Sequence, residues 1–216
     1  MSSFPGSPRL IKAGIALLDP ESGALQRLIA LQYNPDTLTR TLAPKAPGET
    51  TDRSEALRLK GPPVETIKLE AEIEATGLLD EGDATAEAAG IAPQLVALET
   101  IVYPSSAQLL ATDVKARSGT LEIAPIISSL ALFIWGKNRV VPVRITEFSI
   151  TEEAFDPALN PIRAKVSLGM RVLSTDDLGF AGKGGSLYLA YQQQKERLAT
   201  MGRAATLNTF GLGGNL

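Results

Sequence analysis

Residues 64–75 read VETIKLEAEIEA, and the order of these side chains decides the fold class. Ile67, Leu69, Ala71 and Ile73 fall on one side of an extended chain, and Lys68, Glu70, Glu72 and Glu74 fall on the other. Successive side chains of a strand point to opposite faces, so this period of two predicts a strand with one buried face and one wet face. Residues 163–172, RAKVSLGMRV, repeat the pattern. There Ala164, Val166, Leu168, Met170 and Val172 oppose Arg163, Lys165, Ser167, Gly169 and Arg171.

Working outward, 10–18 and 24–33 are apolar runs separated by Asp19-Pro20-Glu21-Ser22-Gly23, and read as a hairpin. Asn34-Pro35-Asp36 ends its second strand. The span 43–53 is rich in Pro, Gly and Thr and reads as an exposed loop, part of a loop expected over 41–63. Residues 77–106 form an acidic, Ala-rich helical insert, with a helix predicted from Pro93 to Tyr103. Residues 108–118 read as a loop or short extension. Strands are expected over 129–135 and 139–151, with Pro142 pointing to an edge position or a bulge. A two-proline turn covers 155–161, a linker 179–185, an amphipathic helix 187–201 and a Gly-rich tail 206–216. Short connections favour antiparallel pairing. The fold class expected is mainly β or α+β, a small barrel or sandwich with one helix mid-chain and one near the end.

The 216 residues allow a real core and contain neither Cys nor His. Disulfides, thiolate nucleophiles, Cys/His zinc sites and Ser-His-Asp triads are therefore excluded. The net charge of −3 argues against a dedicated nucleic-acid binder. The charge is uneven, −6 over 1–108 and +3 over 109–216. The uncharged, largely apolar stretch 125–136 is far short of the ~20 residues that span a bilayer, so membrane insertion is not expected. With no targeting segment at 1–18, the chain is expected to be soluble and cytoplasmic.

Few residues suggest chemistry. Gly182-Lys183-Gly184-Gly185-Ser186 lacks the spacing of a phosphate-binding loop and reads as linker. Asp80-Glu81-Gly82-Asp83 lacks the spacing of a calcium loop. Glu152, Glu153 and Asp156 could form an acid–base carboxylate pair or be exposed charges at the mouth of a hairpin. Tyr188 and Tyr191 are expected to pack the last helix against a neighbour.

Two segments carry a resemblance. Residues 31–40 read LQYNPDTLTR, giving Gln32, Tyr33, Asn34, Pro35, Leu38 and Arg40. Residues 132–173 supply Trp135 and Gly136 after a strand, then Phe155, Pro157 and Pro161 around a turn, then Arg163, Ala164, Val166 and Leu168. In this order they resemble the tube-domain family of contractile injection systems, the phage-tail-like particles of bacteria. The resemblance implies an antiparallel split β-barrel of tail-tube type over 1–175, with linker, helix and tail over 176–216. It implies no enzyme activity and no catalytic, cofactor or metal residues. It implies a homo-oligomer, a hexameric ring that joins the spike to the inner tube, with baseplate or sheath components as further partners. Cytoplasmic assembly into a particle that can be released follows from the same resemblance. No LysM-type pattern follows Leu173, so the baseplate contact is either left open or carried by the terminal helix, and the acidic insert is not matched to the family.

Alternatives remain at this point: a tube or cap ring of the same particle, a ligand-binding β-barrel, or a carboxylate enzyme. The assembly reading also predicts that the acidic face of Glu70, Glu72 and Glu74 lies near the basic face of Arg163, Lys165 and Arg171. The loop at 43–53 is expected to reach a neighbouring ring.

Overall fold

The computed structural model describes residues 11–46, 58–117 and 128–202. The first half holds β1 (Gly14–Leu18), β2 (Leu25–Ala30), β3 (Leu38–Ala43) and β4 (Val64–Glu74). Four helices follow: α1 (Thr76–Asp80), α2 (Ala84–Ala89), α3 (Ala92–Glu99) and α4 (Ser106–Arg117). The second half holds β5 (Leu130–Ile134), β6 (Val140–Phe155), β7 (Pro161–Val172), α5 (Thr175–Leu178) and α6 (Lys183–Met201). The strands form one antiparallel, seven-stranded sheet in the order β2-β1-β5-β6-β7-β4-β3.

The two alternating stretches pair with each other. In the β4–β7 register Leu69 meets Leu168, Ala71 meets Val166 and Ile73 meets Ala164, so both apolar rows face the same side and are buried. β1 adds Ile15 and Leu17 to this inner face, β5 adds Phe133, and β6 adds Val141 and Val143.

The sheet is open, not a closed barrel, because strand pairing stops at β2 and β3. It is nevertheless curled. Seven flat strands about 4.8 Å apart would hold the two edges about 29 Å apart. The chain passes from Ala30 to Leu38, a step that spans at most about 26–29 Å even when fully extended, and bends at Gln32, Tyr33 and Asp36 shorten it. The edges must therefore approach one another. The β1–β2 pairing stops beyond Leu31 for a local reason: the Asn34 side chain occupies the backbone groups ahead of β1, and Pro35 has no N–H to donate.

Helices cover the inner face. α3 contributes Leu95 and Leu98, with Ile91 at its N-cap, and α6 contributes Tyr188 and Tyr191. The Ile91 amide donates to the Pro161 carbonyl at 2.8 Å, tying the insert to the start of β7. Gly90 permits this approach: its φ is +58°, and a Cβ there would lie 2.1 Å from the Pro161 carbonyl oxygen. A smaller cluster on the outer face joins Ala16, Leu18, Leu130 and Leu132 to Leu173, Leu178 and Leu187.

Several expectations need correction. Residues 38–43 are a strand, so the 41–63 loop begins later; 47–57 lie outside the described residues, as does most of the 43–53 segment. Residues 106–117 are a helix, and the insert carries short helices where a single one was expected, the predicted Pro93–Tyr103 helix spanning Ala92–Glu99. Pro142 sits in a central strand between β5 and β7, not at an edge. The Leu173 amide donates to its carbonyl at 2.9 Å, so its missing N–H faces the position just past Val172, where the β7 ladder has already ended. The expected linker at 179–185 is a tight turn into α6, in which Gly184 and Gly185 are buried. The tail at 206–216 lies outside the described residues. Among the described residues no helix is long and apolar enough to cross a membrane.

Candidate functional site

The Gln32–Asn34 segment spans the gap in the curled sheet. β3 pairs with β4 only as far as Leu69, which leaves the far end of β4 without a strand on that side. Gln32 takes the vacant place: its Nε2 donates to the Glu74 carbonyl at 2.8 Å, and its Oε1 accepts from the Glu74 amide at 2.9 Å. The Tyr33 hydroxyl donates to Glu74 Oε1 at 3.0 Å, and that hydrogen bond to the carboxylate pushes the phenol up from its ordinary value. Two residues on, Asn34 Oδ1 accepts from the Ala13 amide at 2.8 Å, and its Nδ2 donates to the Ile11 carbonyl at 2.8 Å. Two side-chain amides thus imitate strand pairing, one toward β4 and one toward the chain entering β1.

Arg40 shares the inner face of β3 with Leu38 and enters a buried charge cluster. Glu65 at the start of β4 is only 3% exposed. Its Oε1 accepts from Arg40 Nε at 2.8 Å and from the Tyr191 hydroxyl at 3.0 Å, and its Oε2 lies 3.3 Å from Lys195 Nζ. The Lys195 ammonium also sits 4.2 Å from the centre of the Tyr191 ring. Burial alone would push the Glu65 carboxyl up, but the Arg40 hydrogen bond and the charges of Lys195 and Arg40 outweigh it and hold it below the ordinary glutamate value. Burial and the neighbouring carboxylate push Tyr191 up to about 12, so its hydroxyl stays protonated and donates. This cluster joins β3, β4 and α6.

The outer face carries the expected charges, and they meet within one chain. Glu72 stands opposite Lys165 and Glu74 opposite Arg163 across β4–β7, while Glu70 stands opposite Ser167. Lys165 Nζ reaches Glu153 at 3.1 Å, and that partner, with Glu72 and Glu70 nearby, raises the lysine's affinity for its proton. Arg163 reaches Glu74 at 3.7 Å and Lys68 reaches Glu147 at 2.7 Å. Arg171 is apart from this group, opposite Thr66, and binds Asp177 at 2.7 Å, which supports α5.

The remaining motif residues build turns and packing. Trp135 is half-buried, its ring centre 5.8 Å from that of Phe133, and its amide donates to the Arg139 carbonyl at 2.7 Å around Gly136. Phe155 is exposed at the end of β6, and Pro157 lies in the turn that follows. Asp156 holds that turn by accepting from the Ala158 and Asn160 amides, both at 2.8 Å, while Pro161 opens β7. Asp156 and Glu153 thus have structural partners. Among the described residues no cluster of acidic side chains could hold a metal ion. Asp83 caps α2 through the Thr85 and Ala86 amides.

Glu65 and Lys195 are absent from the residues that the sequence singles out. The signal for Glu65 is present, since it occupies the same phase as Ile67 and Leu69, a carboxylate in an apolar row. Lys195 has none, because its partner is 130 residues away. Comparison with protein-family models gives no match, and comparison with curated proteins gives none either.

Proposed function

We propose that the chain is a structural baseplate-hub component of a bacterial contractile injection system, forming a hexameric ring that joins the spike to the inner tube and initiates tube assembly. The observation that carries the reading is the position of the Gln32-Tyr33-Asn34-Pro35 motif. The residues on which the family resemblance rests are those that span the gap of the curled sheet. A split barrel of the tail-tube type implied by the resemblance would need its seam held by something other than a strand ladder, and two side-chain amides across the gap of the curled sheet suit that need. The second part of the resemblance falls on the long β6–β7 hairpin and its Asp156-Pro157 turn.

The strand edges support assembly. β2 and β3 each pair with one strand only among the described residues, and neither contains proline, the single charge on each being Arg27 and the inward-facing Arg40. A ligand-binding barrel gains nothing comparable, because the inner face is filled by Ile15, Ile67, Phe133 and Met170. A tube or cap ring of the same particle is the nearest alternative in the same class.

Electron microscopy of the chain co-expressed with spike and tube proteins encoded beside it tests the reading. The expected result is a six-fold ring seated between the two. A strict monomer under every partner condition would overturn it and favour the ligand-binding reading.

A further inference from the structure

Each edge strand carries one arginine, and the two are answered differently. Arg40 stands in the inner row of β3 and meets the buried Glu65 carboxylate. Arg27 stands opposite Leu17 across β1–β2, in the phase of the buried Ile29, at the rim of the same inner face. Its one partner among the described residues is a neutral hydroxyl: Nη1 donates to Thr100 Oγ1, which itself donates to the Ala97 carbonyl at 2.7 Å. Among the described residues no carboxylate pairs with Arg27. Thr100 thus holds one corner of the guanidinium, and the Nε and Nη2 donors are left for another acceptor. The side chain gives up freedom here without gaining a counter-charge.

Arg27 also lines a cleft of about 630 Å³ between β2 and the connection from α3 to α4. That volume falls within the roughly 300–1,000 Å³ of small-ligand sites. Leu17, Ile101 and Val102 give the cleft an apolar wall, and Ser106 and Ser128 bring hydroxyls to its lining. Among the described residues that line it, Arg27 is the only charged one. Two nearby carboxylates lie outside this lining. Asp19 accepts from the Ser22 amide at 2.7 Å and from the Ser22 hydroxyl at 2.8 Å within the β1–β2 turn. Glu99 borders a separate cleft beside Ile145 and Phe148.

We propose that this cleft binds a small organic oxyanion, a carboxylate or a phosphate monoester, with the charged group on Arg27 and its apolar body against Leu17, Ile101 and Val102. The guanidinium fork matches both oxyanions, since each offers two oxygens to parallel N–H donors. Thr100 fixes the fork before the ligand arrives, which lowers the ordering cost of binding. The site goes beyond the ring reading and stands whether or not rings form.

Calorimetric titration of the full chain with phenyl phosphate, benzoate, inorganic phosphate and benzyl alcohol tests the proposal. The expected result is saturable one-to-one binding of phenyl phosphate or benzoate, weaker binding of inorganic phosphate and none of benzyl alcohol. Binding by either organic anion supports the site, and the tighter of the two identifies the oxyanion. Arg27→Gln is expected to lower that affinity about tenfold or more, because a charge-assisted pair is lost. Ser106→Glu keeps Arg27 and places a carboxylate on the opposite wall, at the first residue of α4, where negative charge favours the helix. It is expected to weaken anion binding by a similar factor in a folded chain, whereas Lys68→Gln on the outer face should leave it unchanged. Amide shifts in an NMR titration should cluster at 26–28 and 100–108. Absence of saturable binding by both organic anions overturns the proposal. So does affinity that survives both Arg27→Gln and Ser106→Glu, benzyl alcohol bound as tightly as the anions, or shifts confined to other parts of the chain.

Discussion

Glu65 occupies a strand position whose phase belongs to apolar side chains, and it is tolerated because Arg40, Lys195 and Tyr191 all turn toward it. Breaking hydrogen bonds to a buried charge costs more than losing neutral ones, so Glu65→Gln is expected to lower stability at pH 7 by about 2 kcal/mol. The figure stays modest because Arg40 and Lys195 are partly exposed and can return to water. The pH dependence has a definite sign. The folded-state carboxyl lies below its ordinary value, so its contribution is present above the unfolded value of about 4.3 and is lost as pH falls through the folded one. The gap between wild type and Glu65→Gln should therefore close on acidification below about pH 4, measured by urea unfolding at a series of pH values. A gap independent of pH would mean that the carboxylate charge contributes nothing. Leu168, opposite Leu69 and Phe148 in the middle of the sheet, gives an apolar counterpart. Leu168→Ala is expected to cost about 2–5 kcal/mol, and a change within about 0.5 kcal/mol would contradict its burial.

Helix α6 shows how an element can depend on atoms that are missing. A Cβ on Gly185 would lie 1.8 Å from the Gly179 carbonyl oxygen, and one on Gly184 would lie 2.6 Å from Leu178 Cδ1. The close approach of α5 to α6 thus requires glycine at 185, where the clash is with backbone, whereas at 184 the end of the Leu178 side chain can turn aside; this approach sets the angle at which Tyr188 and Tyr191 enter the core. Gly185→Ala is expected to lower stability by about 1–3 kcal/mol as the helix shifts. Gly182→Ala, with its nearest atom at an ordinary 3.5 Å, should stay within about 0.5 kcal/mol. Thermal unfolding of the pair decides the matter, and equal melting temperatures would mean that the turn relaxes freely. From sequence alone, glycine density at 182–185 reads as flexibility, because composition does not reveal which missing side chain a neighbour occupies. β4 and β7 are legible because each has one dry and one wet face. β3 is not, since it is a short edge strand whose inner row includes Arg40, a charge tolerated there only because Glu65 is beside it. α4 escapes for a related reason: a helix with no buried side leaves no apolar period to read.

At the scale of the molecule, the outer face of β6, β7 and β4 is a patchwork of paired charges, and it tests whether assembly uses this surface. Glu72 stands directly opposite Lys165, so part of the acidic row is engaged within the chain, whereas Glu70 faces only Ser167. Cross-strand charge pairs contribute roughly 0.2–1 kcal/mol each, so Glu70→Lys with Glu72→Lys should fold with a small loss of stability. Charge complementarity between copies acts mainly on register and encounter rate, so the same variant should lose ring yield when the spike and tube proteins are present. Adding Lys165→Glu and Arg171→Glu restores the sign opposite position 72. It also breaks the Arg171–Asp177 pair, so recovery of rings should be partial. Alone, the wild-type chain is expected to sediment as a monomer of 22.8 kDa or a weak oligomer, because each contact is small until the ring closes. Analytical ultracentrifugation of all variants, with and without partners, separates folding from assembly. If the acidic and basic substitutions all leave ring yield at the wild-type level while stability shifts as predicted, the outer face is a solvated surface, and the proposed ring would have to be held elsewhere, as at the strand edges β2 and β3.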